Sequence, residues 1–102
     1  MGIDVTLEDE NGRVLESLAD EGDYVAKLIE FAPSHGPRCL AYIDEFGDTT
    51  FNRLQVPRLA QELDDIPKDE LDVPTRQFLE QLSSLAEMCI LQVHTYLKFS
   101  GD

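Results

Sequence analysis

The chain has no tryptophan, only two cysteines, and only eight cationic residues to set against 21 acidic ones in 102. Cys39 and Cys89 stand fifty positions apart, which makes no disulfide framework. The opening residues carry no charged segment followed by an apolar one, so a reducing, cytoplasmic compartment is expected. No apolar run approaches the roughly 18–20 residues that a membrane-spanning helix needs, and no membrane partner is expected. The scarcity of Lys and Arg leaves no basic patch, and a net charge of −13 repels phosphates, which disfavours direct nucleic-acid binding. No glycine-rich loop has the spacing that cradles a phosphate. Two short matches carry little. Met1-Gly2-Ile3-Asp4-Val5-Thr6 fits a myristoylation pattern but alternates like a strand with no basic cluster after it, and Lys68-Asp69-Glu70-Leu71 spells a retention signal at an internal position.

What is present suffices for one folded domain over residues 1–102, since 42% of the residues are hydrophobic and a disordered acidic tail would be poorer in them. Ile3, Val5 and Leu7 alternate with polar residues, as a half-buried strand does. Asn11-Gly12 predicts a type I′ turn, with Val14 to Leu18 returning antiparallel. Asp23 is a candidate cap for a short helix carrying Val25, Leu28, Ile29 and Ala32, which Pro33, Gly36 and Pro37 terminate. Cys39 to Ile43 and Thr49 to Phe51, joined by Phe46-Gly47-Asp48, read as a second hairpin. Pro57 suits the first turn of a helix with Val56, Leu59, Ala60 and Leu63 on one stripe. Asp72 and Pro74 begin the longest helix, whose apolar face runs from Phe78 to Val93. Met88 and Leu91 fall off that stripe, which implies burial on two sides or an exposed contact. Tyr96 to Phe99 reads as an edge strand. The expected class is α+β: two hairpins and a short closing strand packed on about three helices, the C-terminal one long.

The charge is concentrated. Residues 1–23 hold eight acids against Arg13, a net of −7, and residues 62–72 hold six against Lys68, a net of −5. Such zones keep a protein soluble and also steer a basic protein to the surface. A basic protein partner is therefore expected if there is one.

Candidates for chemistry are weak. Asp44, Glu45 and Asp48 crowd one turn, and Asp44 and Asp48 are the best candidates for an oxygen-ligated metal, yet the order matches no calcium loop. His35, Cys39, Cys89 and His94 could form a zinc site only by converging over long range, and Cys39 as a nucleophile would need a base and an oxyanion pocket that no motif supplies. No cofactor is expected, and the balance leans away from an enzyme. The most distinctive stretch is Ile43 to Gln55, where Arg53 stands between Asn52 and Leu54-Gln55 in an otherwise acidic chain. Tyr42, Phe46 and Arg53 are candidate partner-binding residues, because aromatic and Arg side chains anchor interfaces. The competing reading has Arg53 paired with one of the many carboxylates and Asn52 and Gln55 closing backbone ends.

Ile43 to Gln55 with Val56-Pro57-Arg58-Leu59, and the ending His94-Thr95-Tyr96-Leu97-Lys98-Phe99-Ser100-Gly101-Asp102, resemble a family of small bacterial proteins without an assigned activity. The resemblance implies a bacterial cytosolic protein and transfers no cofactor and no site residue. The leading expectation is a non-catalytic acidic protein-binding module, of inhibitor or immunity type. The alternatives are a small metal-dependent or thiol enzyme, a nucleic-acid mimic, and a homodimer subunit buried through Met88 and Leu91.

Overall fold

In a computed structural model, residues 2–32 and 38–101 are described. Their order is β1 (Asp4–Asp9), β2 (Val14–Leu18), α1 (Tyr24–Ile29), a 3-10 turn (Leu40–Tyr42), β3 (Asp48–Phe51), α2 (Val56–Asp64), a second 3-10 turn (Lys68–Glu70), α3 (Val73–Leu91) and β4 (Thr95–Ser100). The strands form one antiparallel sheet in the order β2-β1-β4-β3. Ile3, Val5 and Leu7 of the β1 segment, Thr95, Leu97 and Phe99 of β4, and Phe51 of β3 are buried beneath the helices. The alternating side chains Asp4, Thr6, Glu8, Tyr96, Lys98 and Ser100 lie on the other face, which no described element covers. Phe51 meets Phe99 edge to face at 5.7 Å, closing the core under β3.

The α+β class holds, with a four-stranded sheet, three helices and a long C-terminal helix. Several details differ from the expectation. The second hairpin does not form: Leu40–Tyr42 is a 3-10 turn, and β3 pairs with β4. The apolar run at Cys39 to Ile43 is buried because Glu62 of α2 draws it inward, its carboxylate accepting the amides of Cys39 (2.6 Å) and Leu40 (3.0 Å). β4 is an inner strand, because β1 pairs with one of its flanks and β3 with the other; the edges are β2 and β3.

The first hairpin is not type I′, since only Gly12 takes positive φ (81°) and Asn11 does not. The Asp9 carboxylate closes the turn by accepting the amides of Asn11 and Arg13, both at 2.9 Å. Asp23 has φ 55° and makes no side-chain cap; Asp20 caps α1 instead, accepting Tyr24 N (2.6 Å) and Val25 N (3.2 Å). Pro33, Gly36, Pro37 and His35 lie outside the described residues. α3 begins as predicted, with Asp72 accepting Thr75 N. It is buried on one side only: Met88 is half-buried against the core, whereas Leu91 and Val93 are exposed.

Candidate interaction surface

Three turns meet at one end of the sheet. Asp9 pairs with Thr95 and Phe51 with Leu97, so the β1–β2 turn, the β3–α2 turn and the α3–β4 turn emerge side by side. Each is closed by its own side chains. Asp9 holds the first. In the second, Asn52 Oδ1 accepts the amides of Leu54 (2.9 Å) and Gln55 (3.1 Å) while Gln55 Oε1 accepts Asn52 N (2.9 Å), a reciprocal box of the kind that starts helices. In the third, the Thr95 hydroxyl lies 3.1 Å from the Cys89 carbonyl and 2.8 Å from that of Gln92, at the end of α3. His94 completes this turn at φ 60°, a region uncommon for residues other than glycine.

Among the polar and charged residues that these turns expose stand several large apolar ones. Leu54 is 85% exposed, Leu91 83%, Val93 63% and Val14, just past the first turn, 53%. Arg53 and Leu54 share a cleft of about 290 Å³ with His94, Thr95 and Tyr96. His94 Nδ1 stands 3.5 Å from Glu10 Oε2, which links the cleft to the hairpin. Among the described residues Arg53 makes no ion pair and no side-chain hydrogen bond, so the paired reading of this residue does not hold, while Asn52 and Gln55 do close the backbone as expected.

The other sequence candidates lie elsewhere. Phe46 is 80% exposed at the opposite end of β3, beside a separate cleft with Glu45, Asp20, Asp23 and Ala26. Tyr42 is exposed at the end of the 3-10 turn. The three proposed anchors therefore do not form one cluster. Leu54, Val93 and Val14 were missed, because an isolated apolar residue near a turn reads in sequence as core; the signal available was the reciprocal Asn52 and Gln55 spacing, which forces the two residues between them outward.

The metal and thiol candidates are otherwise engaged. Asp44 Oδ1 accepts Phe46 N at 2.9 Å, and Asp48 pairs with Lys98 at 3.6 Å across the strands. Among the described residues no three His, Cys, Asp or Glu side chains converge as metal ligands would. Cys89 is buried in the core. The Cys39 thiol is pushed above its ordinary range by burial first and by the Glu62 carboxylate second, with Arg58 opposing, which is the opposite of what a nucleophile needs. No helix among the described residues is long and apolar enough to cross a membrane. Comparison with family models, curated proteins and solved structures gives no match.

Proposed function

We infer that the chain is a non-catalytic protein-binding module that docks a basic protein through the three-turn end of its sheet. The observation that carries this reading is the exposure of Leu54, Leu91, Val93 and Val14, with Arg53 making no ion pair among the described residues, on turns already held by Asp9, Asn52, Gln55 and Thr95. Exposed apolar groups on a rigid frame lose little freedom on association, which is how a small surface gains affinity. The basic character of the partner rests on the net −13, more than half of it in residues 1–23. Charge of this kind raises the encounter rate and lets go in salt, while the apolar anchors set the lifetime.

The test compares proteins captured at low and high salt by tagged wild type and by a Leu54→Asp, Val93→Asp variant whose circular dichroism matches wild type. A basic protein held by the wild type at low salt and lost by the variant is the expected result. Capture of the same proteins by both would remove the three-turn end from the reading, and capture of nothing basic would remove the partner class. Tyr42 and Phe46 enter as separate substitutions. Their loss should leave capture unchanged, since neither lines this end.

A further inference from the structure

Beyond its turn, the first hairpin ends in a strand with one free side. β2 has β1 on one flank, and no described strand on the other. Val14 to Ser17 are exposed, and only Leu18 is half-buried. Val14 (53%) and Leu15 (37%) are β-favouring or large apolar residues left in solvent on a row of open backbone donors and acceptors. Natural edges are guarded by charged side chains, lysine above all, by proline, by a bulge or by a covering element. β2 contains neither lysine nor proline; its guards are the charge of Glu16 and a shift in register opposite Leu7 and Glu8, and an anionic guard turns away a like-charged strand but not a cationic one. The other edge, β3, is shorter, at four residues, and its Asp48 is engaged by Lys98.

Resting on the reading of a basic partner, we propose that β2 receives an extended cationic segment of that partner as a fifth strand of the sheet. Strand addition takes its affinity from main-chain hydrogen bonds and its selectivity from the side chains beside the edge. The side chains here are acidic. Glu16 faces the helix side as the partner of Leu7, and Glu8, paired with Val14, lies on the open face next to the edge. Asp4, Asp9, Glu10, Asp20, Glu21 and Asp23 complete the eight acids of residues 1–23, with Arg13 the one cation there. A second copy would bring the same net −7 against this edge and be repelled, whereas an alternating chain of lysine and valine has a register that places a cation opposite Glu16.

The probe is a short peptide of alternating lysine and valine, compared with the same peptide N-methylated at alternate residues and with a helical lysine-rich peptide of equal charge. The full chain is used, and amide hydrogen exchange is followed residue by residue. Strand addition predicts protection gained at the amides of β2, at least tenfold weaker binding of the N-methylated peptide, and weaker binding by Glu16→Lys. Equal binding of all three peptides without protection at β2 would overturn strand addition while leaving a salt-sensitive acidic surface, and so the partner reading, intact. No binding of the alternating peptide would overturn the strand-addition proposal; the partner reading would still stand or fall on the capture experiment.

Discussion

Replacing Asp20 by alanine should cost the fold about 3 kcal/mol, a large part of what a domain of this size has to lose. Asp20 is only 4% exposed, and its carboxylate is the meeting point of two chain segments. Oδ2 accepts Ile3 N at 3.0 Å and Val25 N at 3.2 Å, and Oδ1 accepts Tyr24 N at 2.6 Å; its own amide donates to Asp4 Oδ1 at 2.9 Å. The side chain therefore caps α1 and pins the start of β1 to it. Truncation strands two buried amides, at roughly 1–3 kcal/mol each, while water can reach Tyr24 N, which is less enclosed. At about 4–8 °C per kcal/mol, the melting temperature falls by roughly 10–25 °C. Urea unfolding followed by circular dichroism gives the free energy, with the slope unchanged if the native state is otherwise intact. Asp20→Asn retains one acceptor oxygen and should lose about half as much. A loss below about 1 kcal/mol for Asp20→Ala, with the slope unaltered, would refute the reasoning, since it would mean that the three amides find other acceptors at no cost.

Glu62→Gln keeps one acceptor for the amides of Cys39 and Leu40 and removes the charge that faces Arg58 at 3.5 Å, so denaturant melts should show a loss of about 1–2 kcal/mol. The lowered pKa of Asp72, caused first by its side-chain bond to Thr75, contributes stability above the unfolded value of 3.8 that is lost as pH falls through the folded value; Asp72→Asn should flatten the melting temperature against pH in that acid range. Cys39, raised by burial, should react with a thiol reagent at pH 8 far more slowly in the native protein than in urea, and equal rates would sink the assignment. His94→Val, which places a β-branched side chain at φ 60°, should lose about 1–3 kcal/mol in urea melts while His94→Gly stays close to wild type.

The class of fold was legible because its strongest signals are local. Val5 and Leu7 alternate, Pro57 and Asp72 mark helix starts, and Phe78 to Cys89 recur at helical spacing. What was not legible depended on partners far along the chain. Cys39 to Ile43 has strand-like composition, but Glu62, more than twenty residues on, takes its amides and bends it into a turn. Thr95 to Ser100 has the composition of an edge and becomes an inner strand because β3 joins its far side. Asp20 and Asp23 are equivalent as capping residues until Ile3 is brought within reach of one of them. The candidate surface divides the same way. Arg53 was visible as a cation in an acidic chain, and its neighbours His94 and Thr95 were not, since about forty residues separate them in sequence and the pairing of β3 with β4 joins them.

The two readings of the charge, solubility and partner choice, describe one electrostatic fact. An edge strand that exposes Val14 and Leu15 would pair with any extended chain it met, including another copy, unless something discriminated. At physiological salt a charge is felt over about 8 Å, so the acids of the first hairpin act on whatever approaches β2 and not on the far side of the molecule. On the strand-addition proposal a like-charged copy would be refused at the distance where strand hydrogen bonds form, and a cationic chain would be drawn to it. Neutralising Glu8, Glu10 and Glu16 together to glutamine should therefore do two things at once. It should weaken binding of a cationic strand, and it should make the protein associate with itself, seen as a rise in sedimentation coefficient with concentration. Self-association without weaker binding would show that the acids serve solubility alone, and weaker binding without self-association would show that they do not guard the edge against a second copy.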